Sequence, residues 1–259
     1  GVPIAVRSYG AAEAPLTVVF VHGHCLHTES WAFLREQLLR QGNTDLRMVC
    51  YDHRGHGESG HAHHATYTID QLAADLDAVL RAVAPNGPVV LVGHSMGAMV
   101  LLAYARLFPA AIGARVAGIA LIAGAAGGIT EVGLGRLLNR HAVASLQRAV
   151  VHAPRVMQAS KRLSRWIFGP LIREASTGTR RVNPRVASIA TAVLGETSLL
   201  TVSGFLSSLL DFDEARTLGF PVQARRVRPI PTAAYPTPAR RPAYSVLDKQ
   251  KIRALLGRP

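Results

Sequence analysis

The sequence predicts an α/β domain, a mostly parallel sheet with helices on both sides, built from residues 1–129. Two observations carry this. Four apolar runs, Thr17–His22, Arg47–Asp52, Val89–Val92 and Val116–Ile122, are nearly continuous, the pattern of strands buried on both faces. The stretches between them have helical periodicity, so strands are joined by helical crossovers and run parallel.

The chain opens at Gly1 without Met, directly in a strand-like segment, Val2–Tyr9, and a segment upstream is expected to have been removed. From Ile69 the apolar side chains Ile69, Leu72, Leu76, Val79, Leu80 and Val83 make one stripe at helical spacing. Thr68 followed three residues later by Gln71 is a capping-box start for that helix. The helix after Ser95 ends where Pro109 forbids its continuation. From residue 130 to 218 strand-like runs stop, and Leu137–Val151 and Ala187–Leu210 read as helices, a cap placed after the fourth strand. From 219 the composition shifts again: Pro221, Pro229, Pro231, Pro236, Pro238 and Pro242 stand among many Arg and exclude a central strand. The expected division is therefore a core at 1–129, a helical cap at 130–218 and a Pro/Arg-rich tail at 219–259.

At 259 residues, 49% hydrophobic and 17% charged, the chain can bury a sizeable core and is not of disordered composition. It contains no run of eighteen uncharged apolar residues, so no membrane span is expected. The net charge of +13 is uneven: residues 1–135 hold 8 basic and 10 acidic side chains, residues 136–259 hold 21 and 6. No aromatic–basic interleaving or base-reading motif accompanies the charge, so it reads as a solvated Arg-rich face and no nucleic-acid partner is expected. Cys25 and Cys50 have neither metal-ligand spacing nor a disulfide framework. That usage suits a reducing compartment, and a cytoplasmic protein is expected.

The chemistry begins at Gly93-His94-Ser95-Met96-Gly97, which follows a strand and precedes a helix. In that context G-x-S-x-G is a nucleophile elbow, a strained turn that lifts the Ser hydroxyl clear of the sheet. The flanking glycines are needed because side chains there would collide with neighbouring backbone. Upstream, His22-Gly23-His24-Cys25 closes an earlier strand and brings a backbone N–H to the same end of the sheet. Acyl transfer needs two such donors for its oxyanion, and the candidates are the amides of His24 and Met96. The His side chain at 24 is not in itself evidence of a metal. Gly55-His-Gly57-Glu-Ser-Gly60 satisfies G-x-G-x-x-G, but no helix opens at once and no acidic residue follows about twenty positions on, so a dinucleotide site is not expected. His61, His63 and His64 fit no zinc spacing and read as an exposed polar loop.

An HG turn, the loop Asp52-His53-Arg54-Gly55-His56-Gly57-Glu58-Ser59 and the elbow, in that order, resemble the α/β-hydrolase family over residues 1 to about 218. The resemblance implies an esterase- or lipase-like serine hydrolase without a cofactor, with Ser95 as nucleophile and His24 and Met96 as oxyanion amides. It implies a small acyl or ester substrate whose apolar chain meets cap residues such as Leu137, Leu138, Trp166, Phe168 and Leu171. Ser at the elbow argues against the branches that attack with a carboxylate. A triad also needs an acid and a His, which in this family lie late in the chain. Here no His follows His152, and Asp248 is the only carboxylate side chain beyond Leu218. Glu131, His141 and His152 respect the order Ser, acid, His and are the substitutes available, although His on a cap helix ordinarily faces solvent. The tail from Arg228 to Asp248 resembles the C-terminal segment of nucleotide-sugar dehydrorhamnose reductases, without a cofactor-binding half. A fusion or frameshift that replaced the hydrolase C-terminus accounts for both departures. The alternatives to an active hydrolase are a silent remnant of one and a reductase-related fragment. With two late strands of the fold unaccounted for, Val116–Ile122 is expected to be an open edge and the chain to self-associate.

Overall fold

The computed structural model describes residues 1–40, 45–85, 87–129, 140–152, 197–217, 230–231 and 244–245. Its main sheet comprises β1 (Val6–Gly10), β2 (Leu16–Val21), β3 (Leu46–Tyr51), β4 (Val89–His94) and β5 (Val116–Ile122), in the spatial order β1-β3-β2-β4-β5. β1 runs antiparallel to β3, and every other pairing in this sheet is parallel. The helices are α1 (Ala32–Arg40), α2 (Ile69–Val83), α3 (Met96–Leu107), α4 (Arg140–His152) and α5 (Leu199–Leu210). This is the mostly parallel sheet with flanking helices that the strand–helix alternation predicts, and it fits the fold that the motif resemblance implies.

The sheet is buried on both faces because successive strand residues point opposite ways. Val19, Val21, Val49, Tyr51 and Leu91 join one core with Leu72, Leu76 and Leu80 of α2 and Val100, Leu101 and Tyr104 of α3. Phe20, Met48 and Cys50 face the other way, onto Trp31 and Leu38. Each fully buried aliphatic chain contributes about 1.5–3 kcal/mol, so both layers are needed to hold the strands. The cap read from the sequence at Thr68 forms, its Oγ1 accepting from Gln71 N at 3.1 Å.

α5 is built into this core. Its first turn is capped by Ser198 Oγ, which accepts from Thr201 N at 3.2 Å. Ser208 Oγ accepts from Ile69 N at 2.9 Å, and Phe205 packs on Tyr67 with ring centroids 4.9 Å apart. Beyond the helix, Glu214 binds Arg106 Nε at 2.5 Å. α4 is pinned to α5 by Gln147, whose Nε2 donates to Ser203 O at 2.8 Å.

Among the described residues β5 pairs with β4 alone, and Ala117–Ile122 are half-buried. In the tail, β6 (Ile230–Pro231) and β7 (Tyr244–Ser245) form a two-residue antiparallel ladder apart from the main sheet, a pairing that the Pro-rich composition did not announce. The rest of 218–259 lies outside the described residues, as do Glu131 and the apolar cap residues Leu137, Leu138, Trp166, Phe168 and Leu171. Among the described residues no helix is long and apolar enough to cross a membrane.

Candidate active site

β4 delivers its chain end to Ser95, and α3 begins at the next residue. Between them Ser95 adopts φ 52° and ψ −118°, a conformation that costs a non-glycine residue about 1–3 kcal/mol. A Ser at a helix cap ordinarily turns its hydroxyl onto the first N–H groups. Here no such bond forms, and among the described residues Ser95 Oγ has no hydrogen-bond partner. The backbone N–H of Ser95 donates instead to Ile122 O at 2.9 Å, tying the turn to β5. A Cβ at Gly93 would stand 2.6 Å from Gly97 O, and one at Gly97 would run into the carbonyls of Val21 and His22. Backbone cannot yield as a side chain does, so Gly97→Ala is expected to cost roughly 3 kcal/mol, the upper end for overpacking. Chemical denaturation of the two proteins measures this.

The HG turn lies directly against the elbow. A Cβ on Gly23 would be 3.1 Å from both Ser95 Cβ and His94 Nδ1. Cys25, two residues on, has φ 60°, so strain is concentrated on both sides of the hydroxyl. Met96 is buried at the start of α3.

Behind this turn stands a cluster that the sequence reading missed. His22, His53 and His56 are at most 1% exposed, and His24 is half-buried beside them. Ring centroids are 4.3 Å apart for His22–His53, 5.3 Å for His22–His56 and 5.9 Å for His24–His56. The bonds define neutral tautomers. His22 donates from Nδ1 to Gly23 O (2.8 Å) and accepts at Nε2 from His53 N (2.9 Å). His53 donates from Nε2 to His22 O at 3.1 Å. His56 donates from Nδ1 to Arg54 O (3.1 Å) and accepts at Nε2 from Cys25 N (3.3 Å). His24 donates from Nε2 to Val202 O at 3.2 Å, which ties the turn to α5. Burial lowers His24 to about 4 and His53 to about 3, and it holds His22 and His56 well below the usual imidazole range. The alternation of His with Gly in both loops was the only signal, and it does not reveal that the loops meet.

The third motif is scaffolding. Asp52 accepts from Thr28 N (2.7 Å) at Oδ1 and from Glu58 N (2.9 Å) at Oδ2. Ser59 Oγ donates to Asp52 O at 2.6 Å, and Arg54 grips Asp75 with two bonds of 2.6 Å. Gly57 sits against the Asp52 carboxylate, which places an anion where a pyrophosphate would need donors. His61, His63 and His64 are exposed, and among the described residues no group of three potential ligands could hold a metal.

Of the substitute triad members, Glu131 lies outside the described residues. His141 and His152 are exposed in the first and last turns of α4, and His152 donates from Nδ1 to Arg148 O at 2.8 Å.

A family model described as alpha/beta hydrolase fold matches residues 17–176. The chain belongs to the α/β-hydrolase-fold family. A monoacylglycerol lipase of Mycolicibacterium smegmatis is 29% identical over 102 residues, which are 38% of this chain and 35% of the lipase. Epoxide hydrolase 4 of Mus musculus is 35% identical over 101 residues, 39% of this chain and 26% of that protein. An esterase structure from Exiguobacterium antarcticum superposes with a TM-score of 0.61 at 19% identity, covering 84% of this chain and 73% of the esterase. At that identity it speaks for the fold alone.

The end of this hydrolase-fold chain matches another family. A model described as RmlD substrate binding domain covers residues 191–259. The dTDP-4-dehydrorhamnose reductase of Escherichia coli is 42% identical over 53 residues, 20% of this chain and 18% of the reductase. The chain thus spans about a third or less of each of these curated relatives. The reductase match begins before α5, yet α5 is packed into the hydrolase core through Tyr67, Ile69 and His24.

Proposed function

We propose that this chain carries the nucleophile half of a carboxylic-ester hydrolase, with Ser95 attacking the ester carbonyl. The observation that supports it is the strained φ of Ser95, with a hydroxyl uncommitted among the described residues and Gly23 against it. A bond forms between Ser95 Oγ and the carbonyl carbon as the Oγ proton passes to solvent. The amides of His24 and Met96 would donate to the oxyanion. The bond to the alcohol then breaks and the alcohol leaves with a proton. Water attacks the acyl-Ser95 ester, releases the carboxylic acid and restores the hydroxyl. No cofactor enters, and the substrate is a small ester with an apolar acyl chain. A Ser in place of a carboxylate favours this over epoxide opening.

The absence of an imidazole hydrogen-bonded to Ser95 Oγ, among the described residues, favours a second reading: a slow or silent hydrolase. Oxyanion donors and binding alone leave on the order of a thousandfold over water. Hydrolysis of p-nitrophenyl butyrate is expected at about that level, and to fall to the buffer rate in Ser95→Ala. Fluorophosphonate should label Ser95 slowly, and equally in His141→Ala and His152→Ala. A Ser95→Ala protein as active as its parent overturns the proposal. Fast labelling lost with either His would assign that residue as the base.

A further inference from the structure

We infer that the cavity between α4, α5 and the turn at residues 64–68 binds a long-chain carboxylate at a site separate from Ser95. The cavity has a volume of about 700 Å³, within the roughly 300–1,000 Å³ of small-molecule sites. Ala144, Val151 and Leu200 supply apolar wall, while His64, Arg148 and His152 supply basic groups, and among the described residues no carboxylate lines it.

Within this lining, Arg148 is the residue that calls for an anion. Arg7, Arg35, Arg54, Arg106 and Arg115 are each paired with a carboxylate. Among the described residues Arg148 has only Ser145 Oγ, at 3.4 Å. A guanidinium left beside an apolar wall matches an amphiphile whose chain covers the wall and whose carboxylate meets the fork of N–H donors. The cavity is formed before any ligand arrives, because Gln147 holds both helices, donating to Ser203 O at 2.8 Å and accepting from Ser207 Oγ at 3.1 Å.

α5 separates this site from the elbow. Leu200, Ser203, Gly204 and Ser207 face the cavity. The opposite side of the helix meets the HG turn and its neighbours: Val202 accepts from His24, Phe205 packs on His24 and His56, and Thr201 abuts Gly55. The 3.6-residue period assigns these two sets to opposing stripes.

Titration of the full-length protein with cis-parinaric acid, followed by its fluorescence, tests the inference. Saturable one-to-one binding is expected, displaced by oleate at least roughly tenfold better than by oleyl alcohol, the margin expected of one guanidinium–carboxylate pair. Arg148→Glu, with Arg148→Met as its milder form, should erase that preference, and Ala144→Trp should abolish binding by filling the cavity. Both positions are exposed, so circular dichroism should remain native. Ser95→Ala should bind as the parent does, which keeps this outcome independent of the hydrolase proposal. Absence of saturable binding, equal affinity for the alcohol, indifference to Ala144→Trp or loss of binding in Ser95→Ala would each overturn it.

Discussion

Lowering the pH from 7.5 to 5 is expected to destabilise the protein by several kcal/mol, and the histidine cluster is the reason. His53 is held near 3 and His24 near 4, both by burial, while an unfolded imidazole titrates near 6.5. Above 6.5 both states are neutral and these groups cost nothing. As pH falls below 6.5 the unfolded chain takes up protons that the folded chain refuses, so stability is lost progressively down to the folded values. At pH 5 this amounts to about 2 kcal/mol for each of the two groups. His22 and His56 are shifted in the same direction by the same burial. Against a total of about 5–15 kcal/mol for a typical domain, the sum is large enough to unfold the protein. Geometry gives the same sign. Protonation turns the acceptor Nε2 of His22 and His56 into a donor and expels the N–H groups of His53 and Cys25. Thermal unfolding between pH 4.5 and 8 should show the midpoint falling steeply below 6.5, and His56→Gln should make the slope shallower. A midpoint flat down to pH 5 would contradict the neutral cluster.

The second large effect is expected at Asp75. Its carboxylate takes both forks of Arg54, whose remaining Nη1 donates to Thr66 Oγ1 at 2.9 Å. The two side chains are only 7% and 12% exposed, so neither ion can fall back on water. Asp75→Ala strands a buried guanidinium, and losses of about 3–5 kcal/mol are typical of that change. Replacing both, Arg54→Met with Asp75→Leu, should recover most of it, since no uncompensated charge remains. Urea denaturation of the three proteins decides. If Asp75→Ala were within about 1 kcal/mol of the parent, the pair would be as weak as a surface one. The consequence reaches the site, because Arg54 leads into Gly55, which abuts Thr201 of α5.

The elements that were legible in the sequence are those decided by neighbours in the chain. β5 spans Val116–Ile122 as read, α2 starts at the cap on Thr68, and Ser95 stands between strand and helix with a positive φ. Apolar periodicity, a capping hydroxyl and a glycine-flanked turn act within a few residues, so their pattern survives in one dimension. The four histidines show the opposite case. As letters they are two His-Gly loops about thirty residues apart, and ordinary pKa values would be assigned to them. Only the parallel pairing of β2 with β3, which carries both loops to the same end of the sheet, buries them together and makes them neutral. α5 is the longest-range example, since the bond between His24 and Val202 spans 178 positions and the one between Ile69 and Ser208 spans 139. Its helical character could be read from the apolar run, but its partner could not, because which face of a helix is covered, and by what, is a property of packing. The cavity beside Arg148 follows from that packing and from nothing shorter in range.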